Sequence, residues 1–284
     1  MDRMMTVDPV RTDASPRAAR GTAAARLNGD PAAMAKQLPE MGPLTLTVAN
    51  RNARLAISEE FSDGGWTGNS LWLRGGGGGA WLYPAQWAFA FAVARGAPGT
   101  RQNSLQFVDR RGEVDLTVEL GSDSGLQAFS ELLEQHRDPG VRRPVVAGRA
   151  LAPVFPGILR NAVDPSLIRE LMETLADAAV PVCLELGSCG VLQSYTGLID
   201  NPAPTARGLR VHGAGLRLEL DLAGAGSAWV TDIHQSEGKA RAVDLFDSAG
   251  NRILRLSGQR IHGSPEDGPW RTLVEALSSC TMAS

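Results

Sequence analysis

The residues able to do nucleophilic, redox or metal chemistry are few in this sequence, and they form no catalytic motif. Ser188 and Ser194 flank Cys189, but no histidine and aspartate stand at a spacing that suggests a triad. The cysteines are odd in number and have no Cys-x-x-Cys spacing, which favours free thiols in a reducing compartment over a disulfide framework or a zinc site. The run Gly75–Gly79 is not followed by Gly-Lys-Ser/Thr, so it predicts a hairpin loop and not a phosphate-binding loop.

Composition excludes several functional classes. The 284 residues are 43% hydrophobic and 21% charged, which is typical of one large globular domain or two smaller ones. A net charge of −3 predicts no general attraction to nucleic acid or anionic membranes. No apolar run approaches the length of a membrane span, and the N-terminus has no apolar secretory segment. We therefore expect a cytoplasmic protein with no nucleic-acid partner and no membrane insertion.

An internal repeat indicates the architecture that must position any functional residues. The segment Leu105–Gly112 returns 138 residues later as Val243–Gly250, and both copies contain Asp-x-x-Gly. An apolar strand precedes each copy, and an amphipathic helix follows each one. A strand, an Asp-x-x-Gly turn, a strand and a helix are therefore duplicated.

The repeat predicts an α+β fold made of two large antiparallel β-sheets, each followed by helices. We divide the chain into three parts on this basis. Residues 1–41 are rich in Ala, Arg, Asp and Pro and are predicted to be a disordered tail. Residues 42–140 form the first repeat and residues 141–284 the second, with the seam marked by Pro139 and Pro144.

Several segments resemble the bacterial hemin-degrading factors, which are cytoplasmic tandem-repeat proteins encoded with heme-uptake systems. The resemblance covers residues 42–279 and is carried in order by Leu82–Phe91, Ser104–Phe107, Gly187–Gly197, Val243–Gly250, Gly258–Arg260 and Pro265–Val274. It implies a protein that binds heme between an axial histidine, on a helix that opens the second half, and a distal arginine. Basic and tyrosine groups hold the propionates in this family.

The chain departs from the family pattern at the iron-binding positions. Pro153 stands where the family has its axial histidine, and Trp81 stands in place of the distal arginine. Ser257 replaces a tyrosine, whereas Arg260 keeps the neighbouring arginine. A proline side chain has no donor atom for iron. The resemblance therefore indicates a divergent member that lacks the usual ligands.

Other residues are then candidates for the heme contacts. Arg260 is expected either to contact a propionate or to form a structural salt bridge. His234 and Tyr195 are the candidate iron ligands, because imidazole and phenolate both bind heme iron; the alternatives are a loop and a packing role. The remaining candidate pocket residues are Tyr83, Trp81 and His262.

Three functions follow from the resemblance. The first is a cytoplasmic heme-binding and heme-trafficking protein of a bacterial iron-acquisition system, with altered ligation. The second is a non-catalytic relative that binds another apolar ligand or a protein partner. The third is a heme-degrading enzyme, although the usual iron anchors are absent. Heme is the expected cofactor or cargo, and a heme oxygenase, a reductase and a second copy of the chain are the partners considered.

Overall fold

The duplicated Asp-x-x-Gly segments fold into the same hairpin turn in both halves of the chain. A computed structural model describes residues 22–96, 102–121, 125–137, 157–235, 238–259 and 266–280. The backbone N–H groups of Asp109 and Asp247 each donate across their turns at 2.9 Å. Oδ1 of each aspartate accepts two further backbone N–H groups within its turn. Gly112 and Gly250 have φ angles of 88° and 81°, a region that favours glycine.

Each repeat contains the same order of elements. The first has β1 (Thr22–Leu27), α1 (Pro31–Ala35), β2 (Pro43–Ala49), β3 (Ala53–Glu60), β4 (Asp63–Thr67), β5 (Ser70–Arg74), β6 (Gly78–Leu82), β7 (Trp87–Arg95), β8 (Gln102–Asp109), β9 (Val114–Leu120) and α2 (Leu126–Gln135). The second has β10 (Ile158–Val163), α3 (Leu167–Asp177), β11 (Val182–Gly187), β12 (Val191–Gly197), β13 (Ile199–Pro204), β14 (Gly208–Gly213), β15 (Leu216–Asp221), β16 (Ala225–Gln235), β17 (Gly238–Asp247), β18 (Arg252–Gly258) and α4 (Gly268–Cys280).

The strands form two antiparallel sheets of nine strands. The first sheet has the order β1-β7-β8-β9-β2-β3-β15-β14-β13, and the second has the order β10-β16-β17-β18-β11-β12-β6-β5-β4. The predicted α+β tandem repeat is therefore confirmed. The sequence did not predict that each repeat places three of its strands in the other repeat's sheet. Residues 138 positions apart occupy corresponding places: Trp87 pairs with Asp109 as Ala225 pairs with Asp247.

One apolar core joins the two sheets. Leu46 and Phe107 of the first sheet and Leu184 of the second are fully buried in a single cluster. Gln193 Nε2, on β12, donates to the backbone oxygen of Leu46 on β2 at 2.9 Å. This bond crosses between the sheets and satisfies a polar group that would be costly to bury alone.

The four described helices are 5 to 13 residues long, and α2, α3 and α4 are each amphipathic. In α3 the buried side chains recur at helical spacing, at Ile168, Leu171, Met172 and Leu175. Among the described residues, no helix has the length and apolar character needed to cross a membrane.

The ordered chain extends further toward the N-terminus than the sequence indicated. Residues 22–41, assigned above to a disordered tail, form β1, α1 and a short 3₁₀ helix. β1 pairs with β7 along its whole length, and Met34 and Leu38 are 0% exposed. The alanine-rich β1 lacks apolar alternation, so its strand conformation depends on the edge that β7 offers. Residues 1–21 lie outside the described residues.

The glycine run is a hairpin, as predicted. The Gly75 N–H donates to the Gly78 oxygen at 2.8 Å and closes the turn between β5 and β6. A Cβ atom at Gly78 would lie 2.8 Å from Ile57 Cγ2, so a side chain at this position would force a neighbouring strand to move. The run therefore allows β6 to pack closely and is not a phosphate-binding loop.

Candidate ligand-binding face of the second sheet

The second sheet has one face turned toward the core and one turned away from it. Cross-strand partners lie on the same face of a sheet. Leu192 on β12 pairs with Trp81 on β6, which pairs with Trp72 on β5. Their neighbours Leu82 and Val191 are 0% exposed and face the core, whereas Trp81 is 41% exposed. We call Leu192, Trp81 and Trp72 the aromatic strip, and the face that carries it the outer face.

The aromatic strip is shaped by a glycine and bordered by a cation. Gly65 on β4 pairs with Trp72, and a Cβ atom there would lie 3.2 Å from Trp72 Nε1. The missing side chain therefore leaves room for the indole to lie against the edge strand. The Arg74 guanidinium carbon is 5.5 Å from the centroid of the Trp72 ring, within cation–π range. The strip offers two indoles and a leucine side chain to a flat apolar ligand.

A row of charged side chains crosses the outer face beside the aromatic strip. Asp244 on β17 pairs with Arg255 on β18, which pairs with Glu185 on β11. Arg255 donates from Nε and Nη2 to the two carboxylate oxygens of Asp244, each at 2.7 Å. These two side chains are 6% and 2% exposed. We call Asp244, Arg255 and Glu185, with Arg252 beside them, the charged row.

Burial changes the proton affinity of the charged row. Arg252 Nη1 lies 3.5 Å from Asp244 Oδ1, and desolvation, followed by the nearby Arg255 charge, lowers the pKa of Arg252 to about 9. Desolvation also raises the pKa of Glu185 above its usual value. With all four groups ionised, two acids balance two bases. Because removing charges from water is costly, this balance is what makes the buried row tolerable.

Cys183 lies on the same outer face, between Thr196 and Ser257 in the strand register. Burial, and then the negative charge of Glu185, raises the pKa of the Cys183 thiol to about 11. A thiol with this pKa is protonated at neutral pH, so Cys183 contributes a small neutral group to the face and not a thiolate.

The first sheet provides an internal comparison for this face. At the places of the aromatic strip it carries Arg54, Glu219 and Arg210, which pair in the same order across β3, β15 and β14. Arg210 and Glu219 form an exposed ion pair with an N–O distance of 3.2 Å. At the places of Glu185, Arg255 and Asp244 it carries Thr47, Thr117 and Gln106. The repeated fold therefore requires neither the aromatic strip nor the charged row, and both are particular to the second sheet.

The structure places the predicted site residues on different sides of the second sheet. Trp81 lies on the outer face, as part of the aromatic strip. Tyr195 lies on the opposite face, is 2% exposed, and donates its hydroxyl to the Leu198 oxygen at 2.7 Å. Burial raises the pKa of Tyr195, which disfavours a phenolate. Tyr195 is therefore a packing residue, the alternative that the sequence left open, because the two-residue period of β12 turns it toward the core.

Two other predicted residues, Tyr83 and His234, are placed only in part. Tyr83 directly follows β6, is half-buried, and donates its backbone N–H to the Gly190 oxygen at 2.9 Å. His234 lies within β16 and pairs with Lys239, so it is a strand residue and not a loop residue; its side chain lies outside the described residues. Arg260, His262 and Pro153 also lie outside the described residues.

Sequence reasoning missed most of this face. Trp72 and Leu192 were not among the candidate residues, because their proximity depends on β4–β6 joining the second sheet. The charged row had a signal in the sequence: Asp244, Glu185 and Arg255 interrupt otherwise apolar strands, which is unusual unless such charges are paired. Only the register shows that these three residues lie side by side.

Comparison with known proteins identifies relatives of this chain. Residues 150–277 match the haemin-degrading HemS/ChuX domain. The chain is 24% identical over 242 residues to the hemin transport protein HemS of Yersinia enterocolitica, and 22% identical over 242 residues to HmuS of Yersinia pestis. Each alignment covers 71% of this chain and 70% of the relative.

Solved structures share the whole architecture. ChuS, a heme oxygenase of E. coli, superposes with a TM-score of 0.79 at 21% identity, covering 89% of this chain and 88% of ChuS. Holo-PhuS, a heme-binding protein from Pseudomonas aeruginosa, superposes with a TM-score of 0.78 at 21% identity, covering 89% of this chain and 86% of PhuS. The domain match covers residues 150–277, the chain resembles hemin transport proteins over 71% of its length, and it shares the fold of ChuS and PhuS.

Proposed function

We propose that this protein binds heme on the outer face of the second sheet and passes it on within the cytoplasm, with iron ligation that differs from the family pattern. The observation that carries the proposal is the difference between the two sheets. Corresponding positions hold a solvated ion pair on the first sheet and two indoles with a leucine on the second. A flat apolar surface beside paired charges is the kind of site that binds an apolar ring system with acidic substituents.

The described residues can contact the apolar macrocycle of heme, whereas they include few candidate ligands for its iron. Trp81, Trp72 and Leu192 would hold the ring by stacking and by excluding water. Arg260, a residue of the family motif, is proposed to contact a propionate, and Tyr83 and His262 are proposed as further pocket residues. When bound, heme supplies an iron centre that takes an axial imidazole, thiolate or phenolate.

An iron ligand is harder to assign. Among the described side chains of the outer face there is no histidine or tyrosine, and the Cys183 thiol holds its proton. We therefore propose His234 as the ligand, with His262 as the alternative. The same proposal includes the prediction that Pro153 occupies the position of the family's axial histidine, so the usual ligand is missing.

Titration of hemin into the pure protein tests the proposal through the Soret absorption band. We expect saturable one-to-one binding. Trp81→Glu, which copies the first sheet, should weaken binding by about tenfold or more, equivalent to about 1.4 kcal/mol. Glu219→Ala, at the corresponding place on the first sheet, is the matched control and should leave binding unchanged. Absence of a saturable spectral change would overturn the proposal, as would equal effects of the two variants.

The axial ligand is identified by a second set of variants. His234→Ala should change the position and shape of the Soret band because it removes the iron ligand, while His262→Ala tests the alternative. Tyr195→Phe should leave the spectrum unchanged, since its hydroxyl is committed to Leu198 on the other side of the sheet. A changed spectrum in Tyr195→Phe alone would contradict this assignment.

A second candidate is a relative that binds a different planar apolar ligand or a protein partner through the same face. The absence of an imidazole or phenol from the described outer-face side chains favours it. This second function predicts weak hemin binding with no defined ligand spectrum.

Heme degradation is the third candidate, and it predicts loss of the Soret band when hemin, reductant and oxygen are combined. The trafficking proposal also includes a heme oxygenase or a reductase as the protein that accepts the heme, and a homodimer of this chain.

A further inference from the structure

Two buried carboxylates and a thiol meet near the adjoining ends of β8 and β9 in the first sheet. Asp109 ends β8, Asp115 lies on β9, and Cys189 lies in the turn between β11 and β12. One ligand atom from each of the three lies within 4.8 Å of the others. Asp109 is 0% and Asp115 is 3% exposed, whereas Cys189 is half-buried. The three groups therefore form a cluster with access from one side.

Two polar atoms in this cluster converge on Gly190. Asp115 Oδ2 and Trp87 Nε1 are both buried without a hydrogen-bond partner of their own among the described residues, while the Asp115 carboxyl group as a whole accepts hydrogen bonds from Ser188 and from the Cys189 and Gly190 backbone. A Cβ atom built on Gly190 would lie 2.5 Å from Asp115 Oδ2 and 2.4 Å from Trp87 Nε1. The missing side chain of Gly190 therefore allows an unpaired acceptor and an unpaired donor to approach the backbone this closely. Unpaired buried polar groups are costly, so such a pair indicates a missing ligand.

The charges of the cluster do not balance among the described residues. Arg111 bonds to Asp109, with Nε 3.1 Å from Oδ2, and one of its guanidinium nitrogens contacts Cys189 Sγ. One guanidinium therefore faces two carboxylates. A divalent cation bound by both carboxylates and a Cys189 thiolate, with Arg111 retained, would bring the formal charge to zero.

The other repeat shows that the fold does not demand this arrangement. The corresponding positions there hold Asp247, Ile253, Arg51, Asn52 and Ala225. Ile253 replaces the second carboxylate, Arg51 replaces the cysteine, and Ala225 replaces the tryptophan. Asn52 takes the place of Gly190, so the close approach that the glycine allows in the first cluster has no counterpart there. One copy of the turn therefore brings two carboxylates and a thiol together, and the other does not.

We propose that Asp109, Asp115 and Cys189 bind a divalent cation that accepts both oxygen and sulfur ligands, of which Zn²⁺ is the best match. Zn²⁺ binds carboxylate and thiolate at about 2.0–2.3 Å, so tetrahedral ligands of one ion lie about 3.5 Å apart, and the three groups, now within 4.8 Å of one another, would draw together by roughly 1 Å on binding. Trp87 Nε1 would donate to a water in the fourth position. Binding releases one proton: Cys–SH and M²⁺ become Cys–S⁻–M²⁺ and H⁺. The site is independent of the proposed heme site.

Titration of the full chain with Co²⁺, and competition by Zn²⁺, tests this site. We expect one equivalent of Co²⁺ with a thiolate-to-cobalt charge-transfer band that Zn²⁺ removes. Cys189→Ser should abolish the band, and Asp115→Asn should weaken binding by about tenfold or more. Cys183→Ser and Asp247→Asn are the matched controls and should behave as wild type.

A measurement on the wild-type protein tests the site without depending on whether the variants fold. Zn²⁺ should slow alkylation of Cys189, read by peptide mass spectrometry, and leave the rate at Cys183 unchanged. No saturable Co²⁺ binding would overturn the proposal, and so would a charge-transfer band that survives in Cys189→Ser or an alkylation rate at Cys189 that Zn²⁺ does not change.

Discussion

Removing one member of the charged row should cost far more than replacing two members together. Asp244 and Arg255 are 2% and 6% exposed and share two 2.7 Å hydrogen bonds. Arg255→Ala would leave the Asp244 carboxylate buried beside Arg252, whose Nη1 lies 3.5 Å from Asp244 Oδ1. Breaking one side of a buried ion pair costs about 3–5 kcal/mol. We expect Arg255→Ala to lower the free energy of unfolding by this amount, and the melting temperature by on the order of 10 °C.

The first sheet indicates a double replacement that should be tolerated. Gln106 and Thr117, at the corresponding places, are 4% and 8% exposed and carry no charge. Asp244→Gln combined with Arg255→Thr copies this pair and leaves one acid and one base in the charged row, so its formal charge stays zero. We expect the double variant to be more stable than the sum of the two single variants predicts, with a coupling energy of about 2 kcal/mol or more.

Urea unfolding of the wild type, both single variants and the double variant measures these free energies. Far-UV circular dichroism and tryptophan fluorescence must give coincident transitions before the values are compared. Arg210→Ala is the control, because it breaks an exposed pair with side chains 49% and 48% accessible and should cost less than about 1 kcal/mol. The reasoning is refuted if Arg255→Ala costs no more than this control, or if the two single effects simply add.

Three further predictions concern other parts of the molecule. Tyr195→Phe should lower the free energy of unfolding by about 1 kcal/mol, measured by urea denaturation, because it removes the partly buried hydrogen bond to the Leu198 carbonyl; an unchanged midpoint would contradict this. At pH 8 an alkylating reagent should modify Cys189 well before Cys183, as measured by peptide mass spectrometry. The alkylation rate of Cys183 should rise as the pH approaches about 11, because burial raises the pKa of its thiol and only the thiolate reacts. Equal rates at the two cysteines would refute this prediction. Deletion of residues 22–41 should lower the melting temperature, measured by calorimetry, because it removes the strand paired with β7 and the buried Met34. A deletion variant as stable as the full chain would show that this segment does not contribute to stability.

Local patterns made part of this fold predictable. The Asp-x-x-Gly turns were visible because the aspartate side chain satisfies nearby N–H groups and the glycine adopts a positive φ, both of which depend on a few adjacent residues. The glycine run and the amphipathic helices that follow the two copies, α2 and α4, could be predicted for the same reason. The strand β1 could not, because its alanines carry little periodic signal and its conformation depends on pairing with a strand more than 60 residues away.

The sequence by itself determined that the chain is a tandem repeat, which family it resembles, and that Trp81 was a residue to examine. Only the tertiary structure decided that Trp81 lies beside Trp72 and Leu192, and that Tyr195 faces the other way. The exchange of three strands between the repeats brings β6 alongside β12, and the alternation of side chains along β12 separates Leu192 from Tyr195. Both results depend on strand register, which sets the face of every side chain and is established by pairing between residues distant in the chain.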